Sequence, residues 1–327
     1  MKEITIEQFR QTANAILGEL RRVIVGQEAL THDLLVTLLA GGNALLEGVP
    51  GLGKTLLVRT LAEVLDCSFN RVQFTPDLMP ADIVGTMIIT TGGGGARGFR
   101  FERGPIFANL VLADEINRAA PRTQSALLEA MQERRVTVAG ETHTLPQPFF
   151  VLATQNPIEM EGTYPLPEAQ LDRFLYKIDV PYPGEAELVE IARRTTGARV
   201  PAGRKVADGE TLLAMQALAR EVPVIEEVYR YAARLVGATH PASATAPELV
   251  RRSLRVGASP RAIQALIWAG KVEALLDNRK ALALDDIRQV AYPSLRHRLI
   301  MNYEAQAEGV MPDAIVGEIL GKVGENP

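Results

Sequence analysis

Residues 48–55 read Gly-Val-Pro-Gly-Leu-Gly-Lys-Thr, and every chemically distinctive residue in the run suits one task. Gly48, Gly51 and Gly53 let the backbone turn tightly and bring its N–H groups against phosphate oxygens. Lys54 can reach β- and γ-phosphates, and Thr55 can offer its hydroxyl to a magnesium ion. The apolar residues 43–47 precede this P-loop and helix formers at 56–65 follow it. Strand, glycine loop and helix in that order set a phosphate at a helix N-terminus, where unpaired N–H groups and the helix dipole favour an anion.

A second stretch, Leu110-Val-Leu-Ala-Asp-Glu-Ile-Asn117, is an apolar strand that ends in two adjacent carboxylates. Ligands bind at the carboxyl edge of such strands. Asp114 there suits a magnesium ion held through water, and Glu115 suits the polarising of an attacking water. The plainer alternative, a core strand capped by solvated acids, is disfavoured by the P-loop upstream. A third strand at 149–154 delivers Gln155, Asn156 and Pro157 to the same edge. An amide at that edge can orient water or sense a γ-phosphate, although taken alone the Asn-Pro pair reads better as a turn.

The elements that must hold these groups are legible in the spacing. Residues 6–22 place Phe9, Ala13, Ile16, Leu17 and Leu20 on one helical face, and 27–40 resume a helix that stops at Gly41 and Gly42. Strands are expected at 68–74 and 175–180. A helix is expected at 121–133, with Pro121 in its first turn, and a β-hairpin at 135–145. Strands separated by helices predict a parallel sheet, hence an α/β nucleotide-binding domain over 1–183. A long insertion, about 75–109, interrupts it, with two strand-like pieces, Asp82-Ile-Val-Gly85 and Phe99-Arg-Phe-Glu-Arg-Gly-Pro-Ile-Phe107, on either side of four consecutive glycines, 92–95. Glycines in series cannot hold a rigid strand end, so a mobile tip is expected at 92–98. Arg97, Arg100 and Arg103, with Glu102 among them, read as a solvated face rather than a nucleic-acid surface. After the break Pro181-Tyr-Pro-Gly184 the chain is expected to be helical throughout 184–327, with helices at 185–195, 209–220, 225–239, 247–254, 260–277, 286–295 and 313–320.

Composition narrows the class. The chain has 327 residues, 47% apolar, with net charge −4 and one cysteine, Cys67. That is ordinary for a soluble two-domain protein without an internal disulfide. No apolar run approaches the ~18 residues of a membrane span, and no signal-peptide pattern is present, so a cytoplasmic protein is expected. Four scattered histidines, His32, His143, His240 and His297, have no metal-ligand spacing. The acidic balance argues weakly against a nucleic-acid machine.

Together, residues 48–55, Asp114-Glu-Ile-Asn-Arg118, Thr154-Gln-Asn-Pro157 and Gly162-Thr-Tyr-Pro-Leu-Pro-Glu-Ala-Gln-Leu-Asp-Arg-Phe174 closely resemble the MoxR family of AAA+ ATPases. The magnesium-chelatase ATPase subunits share the broader pattern. The resemblance spans nearly the whole chain. It implies an AAA+ parallel sheet with a C-terminal all-α lid, ATP and Mg2+ as cofactors, and Asn156 at the sensor-1 position. It makes Arg173 an arginine finger that reaches a nucleotide on the neighbouring subunit, a role suited to a planar, permanently charged side chain. It also implies contacts to the nucleotide from Pro50, Leu52 and Leu56, with Val25 and Gly26 on the adenine side. Gly257-Ala-Ser-Pro-Arg261 resembles the sensor-2 motif, and whether Arg261 serves its own nucleotide or a neighbour's stays open. Residues 75–109 match the family's helix-2 insertion, whose tip would face a ring axis. Leu295-Arg-His-Arg298 is also family-like, without a role attached. The family further implies a ring homo-oligomer, a hexamer, that matures or activates protein complexes, including metal-cofactor insertion. Its partner is often a protein with a von Willebrand factor A domain. A P-loop kinase, a DNA-stimulated translocase and a nucleotide-gated scaffold with little turnover are the competing readings.

Overall fold

The computed structural model describes residues 3–91, 97–157, 162–197 and 201–324. Helix α1 (Ile6–Val23) starts at a capping box in which Thr5 Oγ accepts from the Gln8 N–H and Gln8 Oε1 accepts from the Thr5 N–H. It buries the five apolar residues that its spacing groups on one face. Next come α2 (Glu28–Leu39), β1 (Ala44–Glu47), α3 (Lys54–Val64) and β2 (Phe69–Gln73). The insertion follows as α4 (Pro80–Val84), β3 (Gly85–Thr91) and β4 (Arg97–Arg103). The chain returns to the main sheet with β5 (Leu110–Asp114), a 3-10 turn (Ile116–Arg118), α5 (Pro121–Glu133), the hairpin β6 (Arg135–Val138) and β7 (Glu141–Thr144), β8 (Phe150–Gln155), α6 (Glu168–Leu171) and β9 (Tyr176–Asp179).

The main sheet is parallel, with strand order β2-β5-β8-β1-β9. Its two faces feed two cores because successive strand side chains point opposite ways. Ala44, Leu46, Leu110, Leu112, Phe150 and Leu152 enter one core, and Leu45, Val111, Ala113, Val151 and Ala153 enter the other. The near-continuous apolar runs of β5 and β8 follow from this, since a parallel strand is buried on both faces.

The insertion departs from the sequence expectation in two places. Asp82, Ile83 and Val84 belong to the short helix α4, started by Pro80 in its first turn, and only Gly85 belongs to a strand. The β3–β4 ladder runs from Gly85 opposite Arg103 to Thr91 opposite Arg97, so Arg97 and Gly98 lie in the hairpin stem. The rest of the expected tip, residues 92–96, lies outside the described residues. At the hairpin's root Gly85 has φ +100, and a Cβ on Gly104 would stand 2.2 Å from the Ile83 carbonyl oxygen, so both positions require glycine. His143 of β7 stacks on Phe101 of β4 with ring centroids 4.1 Å apart, which joins the two hairpins.

The C-terminal part contains α7 (Glu185–Thr195), α8 (Gly209–Glu221), α9 (Glu226–Ala238), α10 (Glu248–Ser253), β10 (Leu254–Val256), α11 (Arg261–Leu276), α12 (Leu284–Leu295), a 3-10 turn (Arg296–Arg298), β11 (Ile300–Met301), α13 (Tyr303–Ala307) and α14 (Pro312–Lys322). The helices match the expected ones to within a few residues. The two-stranded β10–β11 sheet and α13 were not expected; the strands are three and two residues long, too short to give a periodic signal. Helices α8, α9, α11, α12 and α14 bury residues in the same continuous core as α1, α2 and α3. A hydrogen-bonded ion pair, His32 Nε2 to Glu273 Oε1 at 2.8 Å, also links α2 to α11.

Candidate functional site

The carboxyl ends of β1, β5 and β8 lie side by side, and the three candidate chemical stretches leave the sheet there. Register fixes their heights: Leu46 pairs with Thr154, Glu47 with Gln155, and Ala113 with Ala153. A cavity of about 230 Å³ opens above them, lined by Gly48, Pro50, Gly51, Leu52, Gly53, Lys54, Thr55, Arg71, Asp114, Glu115, Thr154, Gln155 and Asn156. Gly51 and Gly53 have φ +85 and +75, and an added Cβ would meet nothing within 4 Å at either, so the loop needs them for backbone conformation rather than for space. At Gly48 the reason is close approach, since a Cβ would lie 2.8 Å from Val180 Cβ. Helix α3 starts at Lys54 behind Gly53 with no side-chain cap. Its first N–H groups therefore face the cavity as anion donors.

Lys54 Nζ donates to the Gly48 carbonyl oxygen. Burial pulls its pKa below the usual lysine value, against the opposing pull of Asp114, Glu115 and Glu47. Asp114 is held on both oxygens: Thr154 Oγ donates to Oδ1 at 2.6 Å and Arg71 donates to Oδ2 at 2.7 Å. Glu115 adopts φ 56, a left-handed conformation uncommon outside glycine. That bend ends the strand and puts both carboxylates into one cavity, although neighbours on a strand would point apart. Gln73 Nε2 and Arg118 both donate to Glu115 Oε2, at 2.8 and 3.0 Å, and the Glu115 N–H donates to Thr154 Oγ at 2.8 Å. Thr154, 1% exposed, thus braces both acids.

A hard-oxygen set of one hydroxyl, Thr55, and one carboxylate, Asp114, suits Mg2+. That ion keeps several waters and takes its remaining oxygens from a substrate's phosphates rather than from a protein cage. Among the described residues no group of three or more His, Cys, Asp or Glu could hold a metal without such help.

A second cavity of about 350 Å³ shares Pro50, Gly51, Leu52 and Gly53 with the first and continues on the other side of the loop. Val25, Leu56, Leu188, Ile191 and Tyr182 give it an apolar wall, which suits a flat heterocycle. Gly26 has φ +63, and an added Cβ would collide with Glu187 Oε1 at 2.0 Å, so this glycine lets the α1–α2 connection pass against α7. Sequence reasoning missed Arg71, Thr154, Gln27 and the α7 residues. A threonine in the buried run of β8 was the one available signal; the others converge only in the fold.

Arg173 and Arg261 stand elsewhere. Leu175 donates to the Asn43 carbonyl at 2.8 Å, so Arg173 enters at the amino edge of β9 and β1. The P-loop leaves the carboxyl edge of the same β1, four residues on, roughly 13 Å at the usual strand rise. Arg173 donates to the Leu128 carbonyl at 3.0 Å and lines a cavity of about 540 Å³ with residues of α5, β6 and β7. Arg173 and Arg261 share a further cavity of about 280 Å³ with Trp268 and Arg298. Arg261 lies 3.5 Å from Asp172 Oδ2, in the first turn of α11 as expected. Neither arginine lines the P-loop cavities.

Comparison with known proteins agrees with this architecture. Residues 43–176 match the profile of the ATPase family associated with various cellular activities (AAA), and residues 246–319 match the AAA lid domain. The chain is 45% identical over 312 residues to "Chaperone MoxR1" of Mycobacterium tuberculosis, covering 95% of this chain and 82% of that protein. It is 42% identical to the uncharacterised protein YeaC of Bacillus subtilis, covering 96% of each. "Protein MoxR" of Methylorubrum extorquens is 31% identical, covering 95% and 94%. A solved structure of a candidate ATPase from Cytophaga hutchinsonii superposes with TM-score 0.90 at 42% identity, covering 98% of this chain and 96% of that one.

Proposed function

The chain belongs to the MoxR family of AAA ATPases, and from that membership and the geometry we propose that it hydrolyses ATP at sites shared between neighbouring subunits of a ring. The observation that carries this reading is the separation of Arg173 and Arg261 from the P-loop of their own chain, with β1 between them. A catalytic arginine that cannot reach its own nucleotide has work to do only on another subunit's.

In this reading the P-loop N–H groups and Lys54 hold the phosphates. Thr55 and, through water, Asp114 would hold Mg2+, which would supply neutralisation of phosphate charge. Glu115, fixed by Gln73 and Arg118, orients a water in line with the γ-phosphate, and Asn156 senses that phosphate. Arg173 of the neighbour supplies its fork to the charge that builds up on the transferring group, and Arg261 acts from the same side. Chemistry of this kind is mainly positioning plus electrostatics. The apolar cavity takes the adenine against Val25, Leu52 and Leu56.

Ile89 and Phe99 face each other across the β3–β4 ladder and are 64% and 75% exposed. An exposed apolar pair at the end of an insertion suits contact with a protein client, near the axis of a hexameric ring. The nucleic-acid reading gains little, since Arg100 pairs with Glu102 at 2.9 Å. The activity is chaperone-like: turnover is coupled to maturation or activation of a protein complex, metal-cofactor insertion included, with a von Willebrand factor A domain protein as partner. No described helix is long and apolar enough to cross a membrane; a cytoplasmic location is part of the proposal.

The test is ATP hydrolysis against protein concentration for wild type, Glu115→Gln and Arg173→Ala, with assembly followed by light scattering. Turnover should rise with assembly and be lost in both variants, while Glu115→Gln still binds ATP. Normal turnover in Arg173→Ala, or equal specific activity at every concentration, would remove the shared site. Binding without phosphate release in the wild type would favour the scaffold reading.

A further inference from the structure

The family-like run that ends at Arg298 has no role in the scheme above, yet its contacts converge on the residues flanking Arg173. Arg298 is buried, 6% exposed, and all five of its N–H donors are used. Nε donates to Asp172 Oδ1 at 2.8 Å. One terminal nitrogen donates to the Asp172 and Phe174 carbonyls at 3.3 and 2.7 Å, and the other to the Leu175 carbonyl at 3.2 Å and to that of Ser294. His297 adds a bond from Nε2 to the Phe174 carbonyl at 3.1 Å. Three carbonyls on either side of one arginine are thus fixed by a guanidinium from the C-terminal helical part of the chain. The second oxygen of Asp172 accepts from Ser259 Oγ at 2.7 Å and faces Arg261 at 3.5 Å. One carboxylate therefore ties the segment carrying Arg173 to the segment carrying Arg261.

We propose that Arg298 and Asp172 form a clamp that positions Arg173 and Arg261 together for the neighbouring subunit's nucleotide, so that the orientation of the lid sets the reactivity of the next site in the ring. The proposal rests on the shared-site reading of Arg173. A lysine cannot replace Arg298, because a single ammonium has three donors and no planar fork to span Asp172 and three separate carbonyls. Arg298 and Asp172 contact the segments that carry Arg173 and Arg261 and do not line the P-loop cavity, so they are positioning residues. Their loss should show in turnover rather than in binding, because a finger engages the developing charge of the transition state.

Arg298→Lys and Asp172→Asn should each lower kcat about 10- to 100-fold with KM for ATP changed less than about twofold, as expected when an interaction made only in the transition state is loosened. Light scattering and thermal melts should show rings and folding retained. Asp172→Asn keeps the side-chain volume and serves if Arg298→Lys melts early. The deciding measurement mixes each clamp variant one to one with Glu115→Gln. An interface whose nucleotide side comes from the clamp variant and whose finger side comes from Glu115→Gln is whole. Random assembly should therefore restore about a quarter of the wild-type rate. No restoration, while an Arg173→Ala and Glu115→Gln mixture is restored, means that the clamp acts within its own subunit or only on folding, and overturns the proposal. Failure of the Arg173→Ala mixture as well removes the shared site, and the clamp with it. Unchanged kcat in both clamp variants also overturns it.

Discussion

Replacing Asp33 with asparagine should make the protein more stable at neutral pH, and the effect should carry a pH signature set by the packing of α2. The carboxyl lies on α2 among His32 of its own helix, Glu273 of α11 and Arg296 of the following 3-10 turn. Burial raises its pKa from the usual 3.8 to about 6, helped by Glu273 and opposed by His32 and Arg296. An acid whose folded pKa is raised stabilises the fold below its unfolded pKa, and that stability is lost as pH rises through the folded one. Relative to low pH, the raised pKa of Asp33 withdraws roughly 2 kcal/mol of stability at about pH 5, and the loss levels off near roughly 3 kcal/mol above about pH 7. Asparagine has no such term. The stability gap between Asp33→Asn and wild type should widen by roughly 1 kcal/mol between about pH 5 and pH 7 and then stay constant, a shift of about 2 °C in Tm for a chain of this size. Calorimetric melts of both proteins across that range read it, and the difference cancels the titrating groups that are not coupled to Asp33. A gap that does not change with pH, or one that narrows, would refute the reasoning. His32 titrates with the opposite charge sign and is coupled to Asp33. Its bond to Glu273, helped by the charge of Asp33, raises its pKa above the usual 6.5, so that pair stabilises at low pH and is lost as pH rises through the raised value.

Three further outcomes can be checked with simple reagents. Arg71 occupies the Asp114 oxygen that a magnesium-bound water would need, so Arg71→Ala should lower the Mg2+ concentration giving half-maximal ATPase activity; an unchanged or higher requirement would make Arg71 a phosphate ligand instead. Burial first, with Asp66 and Asp208 adding to it, pushes the Cys67 thiol up to about 11. Iodoacetamide labelling near pH 8 should accordingly be roughly 100-fold slower in the folded protein than in the denatured chain. Gly104→Ala would put a Cβ 2.2 Å from the Ile83 carbonyl oxygen at the root of the insertion, where backbone must shift. It should destabilise by more than about 2 kcal/mol, seen as a lower Tm and faster hydrogen exchange in β3 and β4.

How much of this could be read from the sequence depended on whether the chemistry is carried by neighbours in the chain or by neighbours in space. The P-loop, the Asp114–Glu115 pair and α5 are local: glycine spacing, a strand ending in acids and a proline at a first turn each state their geometry within about a dozen residues. The periodicity of α1 identified its buried face because a surface helix has a single apolar stripe. Arg71 carried no such signal, being one arginine among many, and Thr154 offered only its place as a threonine in the buried run of β8. They matter because β2, β5 and β8 are hydrogen-bonded neighbours, an order that sequence alone does not state. The stem of the insertion was misread for a related reason. Asp82, Ile83 and Val84 are too few for helical periodicity to show, and the Pro80 start signal sits outside the branched stretch that looked like a strand.

The position of Arg173 gives the molecule a division that neither the sheet nor the lid contains alone. The carboxyl edge of the sheet, with Leu52 and Leu56 beside α7 residues in one cavity, holds what a nucleotide would touch in its own subunit. The amino edge, with Arg298 and Asp172 gripping the segment around Arg173, holds what it would touch in the next. Helices α8, α9, α11 and α12 share one core with α1 and α2, so the two edges are not independent of the lid. A nucleotide seated against Leu52 and Leu56, which pack on that core, would bear on the same packed body that carries Arg298. Packed cores shift between discrete arrangements rather than deforming smoothly, so occupancy at one site would be communicated to the finger side as a change of position. With sites shared as proposed, the nucleotide state of one subunit would act on the rate of its neighbour through Arg298. Asp172→Asn, which loosens that connection while leaving the P-loop cavity of its own subunit untouched, should lower the Hill coefficient of ATP turnover toward one as well as lowering kcat. Steady-state rates over a range of ATP concentrations measure this, and a cooperative curve that keeps its steepness in the variant would mean the subunits communicate by another route.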